Sequence, residues 1–374
     1  MKKTIYKYIF SEFIRYFTIT LFALSAIVWT VQAVNFLDLV TEDGHAFSIY
    51  FLYSILTISK VFTKLIPFVF LVASILTILK LEKDNELIVL WTSGLNKIFV
   101  VNHLFKISLI VMFFQLFLTI GINPSLLNLS RMVLKNSQLE FVSSMFKEKQ
   151  FNDTVQGLTI FIDEKSENKI YKNIFILDES SSLSSLGSKS STIVAKSGYV
   201  SDDEKSLILL NGNIQKSDND GGISVISFQK TSYNLSGFST KSISEPKMQE
   251  TTSINIYKCI MGKSVKMHNC NKTKKTLINI KIEINKRIGM PFFIPLIALI
   301  CSFLLGSRKD KKNFISNKYI SFLIGFIILA LAEMIVRYSG TSWHHTAVYY
   351  LIPAVMIPLF YIILIRKFKY ENLN

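Results

Sequence analysis

Long unbroken apolar runs crowd the two ends of this chain and are missing from its middle, which constrains the fold more than any single motif does. A water-soluble core interleaves apolar and polar positions along its whole length, with a period of two in strands or 3.6 in helices. Runs of about 20 apolar residues are what a hydrocarbon layer about 30 Å thick requires of a crossing helix. Half of the 374 residues are hydrophobic. Their segregation predicts a polytopic α-helical membrane protein with an inserted polar domain.

Six transmembrane helices are predicted: residues 13–37, 65–79 with an extension back toward Tyr50, 99–122, 288–305, 319–336 and 347–365. The chain therefore divides into residues 1–122 (spans one to three), 123–287 (an insert and its connector) and 288–374 (spans four to six). Lys2, Lys3 and Lys7 precede the first apolar run as they would in a signal peptide. That run, from about Phe17 to Leu37, is too long for one and no small-x-small site closes it, so it is expected as the first span. Lys and Arg in short loops mark the cytoplasmic side. Lys2, Lys3, Lys7 and Arg15 lie at the start of span one, and Lys80, Lys83 and Lys97 lie between spans two and three. Arg308, Lys309, Lys311, Lys312 and Lys318 link spans four and five, and Arg366, Lys367 and Lys369 follow span six. The 38–48 loop has neither Lys nor Arg, and the turn before His344 has only Arg337. Both termini are expected in the cytoplasm and the insert on the far side, the periplasm of a Gram-negative cell.

The insert is patterned for strands. Residues 157–163, 170–178, 191–200, 206–215 and 222–235 are short runs of β-branched, aliphatic and aromatic residues separated by Asn-Gly, Asp-Gly and Ser-rich turns. Their spacing predicts an all-β sandwich or jelly roll. Residues 180–190 form a Ser-rich loop, the pattern weakens over 240–276, and 277–287 is a charged lead-in to span four.

The net charge of +16 fits either a compositional bias toward Lys or attraction to anionic lipid or an anionic substrate. Nucleic acid is not an expected partner, because the basic residues gather at membrane edges. Cys301 lies in an apolar run and packs there. Cys259 and Cys270 pair if their segment faces an oxidising compartment and otherwise stay reduced. The spacing of the three predicts no metal site.

The chain carries no sign of its own energy source. Gly262-Lys263-Ser264 has the end of a phosphate-binding loop, but Tyr257 stands where the earlier Gly is required, outside any strand-loop-helix context. No nucleophile-His-carboxylate or metal constellation is apparent, and His344 and His345 sit at a turn. No catalytic residue and no cofactor are assigned to this chain. Uphill transport would need a partner that hydrolyses ATP.

The connection between spans two and three is the candidate docking surface for such a partner. Asp84 and Asn85 are suited to capping a short helix, Glu86-Leu87-Ile88-Val89-Leu90-Trp91 supplies an amphipathic turn and a half, and Ser93-Gly94 ends it. Pattern alone leaves two readings open: a helix that inserts into a partner's groove, or one that lies on the inner leaflet.

Residues 85–95 resemble the coupling-helix signature of the LptF/LptG (YjgP/YjgQ) permease family: an acidic residue and Leu, an apolar turn, then Ala/Ser-x-Gly. Val28-Trp29-Thr30-Val31-Gln32, with Phe36-Leu37-Asp38-Leu39-Val40, is similar to the F-type member in particular. Pro67 stands where the family has a Pro in span two. Ala195-x-x-Gly198, Leu209-x-x-Gly212, Phe228 and Tyr233-Asn234-Leu235 resemble its periplasmic jelly roll, and Arg287 with Pro291 resembles the entry to its fourth span. The resemblance implies an inner-membrane subunit of an exporter, paired with a paralogous G-type permease and driven by a cytoplasmic ATPase dimer. Such an exporter extracts lipopolysaccharide from the membrane and passes it to periplasmic bridge proteins. It implies that Glu86 contacts the ATPase, with Leu87, Leu90, Trp91 and Gly94 completing the coupling surface. Trp91 departs from the Arg often found at its position, so an apolar anchor is expected there. The G-type paralogue, and a membrane-anchored periplasmic interaction or sensor protein, are the alternatives.

The residues themselves add a substrate argument. Lys60 and Lys64 lie one helical turn apart toward the outer end of span two. Arg131 and Lys135 repeat that spacing after span three, and Lys286 and Arg287 precede span four. A Lys or Arg at the bilayer centre costs about 2.5–3.5 kcal/mol on insertion scales, so these residues are expected at an interface or facing a cavity. Like charges one turn apart repel, and an anionic ligand between them relieves that repulsion. Snorkelling to ordinary headgroups is the competing explanation.

Overall fold

The computed structural model describes residues 2–41, 46–136, 146, 148–155, 157–165, 170–179, 191–201, 206–217, 223–234, 246–262, 270, 273–306 and 314–370. Arg308, Lys309, Lys311 and Lys312, the loop 180–190, and Lys263 and Ser264 lie outside them. The chain divides into two compact units: Met1–Val31, Thr57–Asn128 and Pro246–Asn374 form one, Gln32–Leu56 and Leu129–Glu245 the other.

All six predicted spans are present, as helices long and apolar enough to cross a membrane: Lys3–Val40, Phe47–Lys83, Lys97–Leu134, Lys274–Gly306, Ser316–Tyr338 and Trp343–Lys369. They outrun the apolar runs that predicted them. Helix α1 (Lys2–Asn35) and α3 (Phe47–Lys83), with the short α2 (Asp38–Thr41) between them, supply the first two spans; α4 (Glu86–Thr92) follows, then α5 (Lys97–Phe117) and α6 (Asn123–Asn136). After the insert come α7 (Ser253–Ile260), α8 (Lys274–Gly289), α9 (Phe293–Ser302), α10 (Phe314–Tyr338) and α11 (Trp343–Tyr370). The charged lead-in to span four is thus no separate segment: it is α8, continued through a single 3-10 turn at Met290–Phe292 into α9.

Every residue of α9 is buried. A helix apolar on all sides belongs in the middle of a bundle, and α9 packs against α5, α10 and α11. Phe13, Ile66, Phe70, Leu71, Leu104 and Phe368 join the core around it. The exposed apolar residues of α1, α5, α10 and α11, such as Phe22, Phe113, Leu323 and Leu351, have the composition of lipid-facing surface.

At two of the prolines in the span helices, Pro67 and Pro124, a neighbouring side chain bonds the affected carbonyl. Pro67 in α3 has no N–H for the Thr63 carbonyl; the Gln115 side-chain amide donates to that oxygen at 3.1 Å. Pro124 has none for the Ile120 carbonyl, and the chain widens into a π turn over Leu118–Ile122 just before it. Here Ser253 Oγ donates to the Ile120 oxygen at 3.1 Å. π turns within α-helices recur at functional sites.

The second unit holds the expected inserted all-β domain. Its strands are β1 (Phe151–Val155), β2 (Leu158–Lys165), β3 (Ile170–Asp178), β4 (Ser191–Val200), β5 (Ser206–Ser217) and β6 (Ile223–Asn234). They pair antiparallel in sequence order within one six-stranded sheet. Alternation buries Leu158, Ile160 and Ile162 of β2, then Ile174 and Ile176 of β3, Ile193 and Ala195 of β4, and Leu207 and Leu209 of β5.

The alternation inverts along one line across the sheet. Asn173 and Asn211 have φ of 50° and 51°, a left-handed conformation that Asn tolerates better than most residues. On either side of Asn173, Tyr171 and Ile174 are both buried, and on either side of Lys196 so are Ala195 and Gly198. The register places Asn173, Lys196 and Asn211 next to one another. Beside this line Gly212 lies so close to its neighbours that a Cβ there would meet the Val194 carbonyl oxygen at 2.3 Å and the Phe228 ring at 2.6 Å. Across the buried face the Tyr233 hydroxyl donates to Asp178 Oδ2 at 2.8 Å. Burial, then this bond, pushes the Tyr233 phenol above the ordinary tyrosine range.

Candidate functional site

The membrane unit offers two sites, toward opposite ends of α3. At the C-terminal end of that helix, Asp84 and Asn85 turn the chain into α4. The expected side-chain cap is not made: Asn85 is left-handed (φ 59°) and makes no capping bond, while Asp84 lies 3.6 Å from Lys80. The far end is built as expected. Gly94 has φ 84°, its N–H donates to the Trp91 carbonyl, and that of Leu95 donates to the Leu90 carbonyl, both at 3.1 Å. This pairing is a Schellman motif, which needs a residue free to adopt positive φ.

Glu86, expected to reach a partner, is bonded within the chain. Its Oε1 accepts from the Tyr8 hydroxyl at 2.8 Å and from Lys80 Nζ at 2.9 Å, and Lys80 also lies 3.8 Å from Glu12. This network ties α4 to the starts of α1 and the end of α3. Leu87 is fully buried, and Leu90 and Trp91 are half-buried against the membrane core. The apolar side chains that α4 leaves exposed are Ile88 and Val89, which the sequence motif contains without singling them out. A cavity of about 400 Å³ opens beside them, lined by Thr4, Ile5, Tyr8, Leu81 and Val89 among others.

The second site is a cavity of about 420 Å³ lined by Lys60 and Lys64 of α3, Gln115 and Thr119 near the π turn, Glu283, Lys286 and Arg287 of α8, and Glu333 of α10. The structure thus brings four of the six predicted basic residues to one cavity. Arg131 and Lys135 lie on the part of α6 that belongs to the other unit. Lys60 precedes Lys80 by 20 residues, about 30 Å along a helix and about the thickness of a hydrocarbon core. Lys64 is about 6 Å nearer.

The four cations differ in what holds them. Arg287 is 6% exposed and donates to Glu283 Oε1 at 2.9 Å, to the Thr251 carbonyl and Ser253 Oγ at 3.0 Å, and to the Met248 and Gln249 carbonyls at 3.0 and 3.1 Å. All five of its N–H groups are engaged. Since Ser253 in turn donates to Ile120, and Thr119 Oγ1 lies 2.9 Å from the Arg287 carbonyl oxygen, this residue joins the 248–253 segment, the π turn and α8. Among the described residues the one carboxylate that pairs with Lys286 is Glu333, and both are about one-third exposed. Among the described residues no carboxylate pairs with Lys60 or Lys64. Four cations and two carboxylates leave the cavity with two net positive charges.

Next to the Arg287 junction, Cys259 of α7 and Cys270 form a disulfide with Cα atoms 6.1 Å apart. Cys259 packs with Ile256 and Ile280, so α7 is fastened to α8 by apolar contact as well as by the bond. Cys301 is free and buried in α9. His345 Nδ1 lies 2.8 Å from Ser342 Oγ at the start of α11.

Sequence reasoning missed Tyr8, Gln115, Glu283 and Glu333. Only the charges of the two glutamates, set in or beside apolar spans, gave any signal.

Residues 7–367 match the model of the lipopolysaccharide export system permease family LptF/LptG. An uncharacterized protein of Rickettsia prowazekii (strain Madrid E), RP871, is 27% identical over 331 residues, covering 86% of this chain and 87% of the relative. With six spans, an inserted antiparallel sheet and a family match over nearly its full length, the chain belongs to the LptF/LptG family of lipopolysaccharide export system permeases.

Proposed function

We propose that this chain is the F-type permease subunit of a lipopolysaccharide exporter. In this reading the cavity between α3, α8 and α10 receives the phosphorylated headgroup at the periplasmic face, and α4 engages a cytoplasmic ATPase dimer. The observation that carries the proposal is the pair Lys60 and Lys64, with no direct carboxylate partner among the described residues, in a cavity of two net positive charges about one hydrocarbon thickness from Lys80. Like charges gathered in one cavity repel, and an anion between them relieves that repulsion; the lipid A phosphates are anions carried at headgroup level.

Orientation rests on two independent features. Lys80, Lys83 and Lys97 flank α4, as cytoplasmic loops require, and the Cys259–Cys270 disulfide at the other end fits an oxidising compartment. The sheet, with an apolar buried face from Leu158 to Tyr233, is assigned the hand-over to the periplasmic bridge proteins. No step of covalent chemistry is assigned to this chain; ATP is consumed by the partner. The G-type paralogue is the partner expected to copurify.

The test is Lys60→Glu with Lys64→Glu in the assembled complex, read by lipopolysaccharide-stimulated ATPase activity and by lipid crosslinking. Both should fall. Unchanged values in both would remove the pair from the substrate path. Reporter fusions at Glu86 and in the β domain should report opposite compartments, and a shared compartment would end the proposal.

A further inference from the structure

The cations of the cavity form a graded series, and the middle member has a function of its own. Arg287 is closed off by five internal bonds, whereas Lys60 and Lys64 have no carboxylate partner among the described residues. Lys286 lies between these extremes. Its one partner, Glu333, comes from a different helix and is about as exposed as Lys286 itself. Glu333 sits in a span where its chain neighbours are Ala332, Met334 and Ile335, and its charge also reaches Lys64 across the cavity. An acidic residue in such a run is costly unless paired, and such residues mark substrate paths.

We propose that Glu333 is a placeholder for the ligand's phosphate: it holds Lys286 while the cavity is empty and surrenders it when a phosphorylated lipid enters. This rests on the reading of the cavity as a headgroup site. Before the phosphate arrives, the carboxylate supplies the charge that Lys286 lacks and keeps its side chain in the cavity. After it arrives, three lysines face the phosphate while Glu333 repels it. A phosphate dianion compensates the lysines better than a monoanion or a zwitterionic headgroup does. The placeholder therefore sets a threshold that ordinary phospholipids fail and a bisphosphorylated glycolipid passes. A site whose competent state is only partly populated binds with an affinity reduced by that fraction, which makes the threshold measurable.

The experiment uses the full-length chain in its complex, reconstituted in zwitterionic nanodiscs and titrated with fluorescent bisphosphorylated lipid A. Glu333→Gln should tighten binding about three- to fivefold, the scale of a partly exposed ion pair. The gain should vanish with dephosphorylated lipid A and shrink in a Lys286→Met background, where only the loss of Glu333's repulsion of the phosphate remains. Glu333→Asp, which keeps the charge on a shorter stem, should give a smaller gain and serves as the readout if the amide variant folds poorly. Inorganic phosphate added in competition separates a site for the anion alone from one that needs the lipid: displacement at millimolar phosphate would overturn the lipid threshold. Equal or weaker binding by Glu333→Gln, with Lys60→Glu/Lys64→Glu still abolishing binding, would overturn the placeholder and leave the headgroup site standing. If neither variant altered binding, the headgroup site itself would fall.

Discussion

Replacing Arg287 by Lys keeps the charge and removes the fork, which isolates what the fork does. The guanidinium donates five hydrogen bonds, three of them to carbonyls of Met248, Gln249 and Thr251, and an ammonium has only three N–H groups to offer. At least two acceptors lose their donor. A hydrogen bond to a charged group contributes about 1.5–3 kcal/mol, and water reaching the released carbonyls recovers part of that, so about 2–3 kcal/mol of local stability should go. At 1.4 kcal/mol per factor of ten, local opening of the 248–260 segment becomes about 30–150 times more frequent. Hydrogen–deuterium exchange in nanodiscs reads this directly. Amides of α7, Ile256 among them, should exchange faster by that factor, while α5 around Leu104 stays as slow as in the parent. Arg287→Met should do more, at about 3–5 kcal/mol, because it leaves Glu283 without its partner. If α7 exchanged at the parental rate in a folded Arg287→Lys protein, the residue would not be holding the segment and the five bonds would carry no mechanical meaning.

Other substitutions separate packing from docking. Val89→Asp places a charge on the exposed side of α4 and should abolish copurification of the ATPase with little change in melting temperature, whereas Leu87→Ala, fully buried, should cost about 2–5 kcal/mol of stability. Gly212→Ala puts a methyl against the Val194 carbonyl and the Phe228 ring; a loss of about 1–3 kcal/mol is expected from overpacking, and thermal melting should show that Phe228→Ala restores only part of it, since the carbonyl cannot yield. Alkylation of the native, unreduced protein should leave Cys259 and Cys270 unlabelled. Replacing both by Ser should lower the stability of the α7–α8 connection by up to about 3 kcal/mol, the scale for a loop of this length.

The features that the sequence disclosed are those governed by solvent. Lipid demands continuous apolar length, so six spans are visible, and a half-buried sheet demands alternation, so β2 to β6 fall within a few residues of the predicted runs. The missed strand β1, Phe-Asn-Asp-Thr-Val, has little apolar alternation to betray it. The inversion of alternation at Asn173 and Asn211 was hidden because each Asn lies inside a run that looks continuous. At the sites, charge was legible and partnership was not. Glu283 and Arg287 are four residues apart and pair along one helix, but Lys286 finds Glu333 across 47 residues and Glu86 finds Tyr8 across 78. Those meetings are fixed by how the helices pack around α9, which no local pattern encodes. Glu86, expected from the resemblance to contact the ATPase, is held by two internal donors and keeps about one-third of its side chain exposed, and no local pattern shows those donors.

The two sites are mechanically related because α3 carries part of each. Lys80 belongs to the network that fixes α4, and Lys64 lies 16 residues earlier, about 24 Å along the helix. A regular helix would transmit a displacement over that distance almost unchanged. Pro67 breaks the regularity three residues from Lys64, and Gln115 of α5 bonds the carbonyl it leaves free, so the segment bearing Lys60 and Lys64 is referenced to α5 as well as to its own helix. On the opposite wall, Pro124 and the π turn do the same for the end of α5: the π turn's Ile120 carbonyl is bonded by Ser253 and through it to Arg287. In the proposed mechanism, motion of α4 would therefore reach the lysines through a joint rather than a rod. Since one side of that joint is the Arg287 junction, the proposed mechanism expects a push at the α4 end to change the distance between Lys64 and α8, and with it the room that the cavity offers an anion.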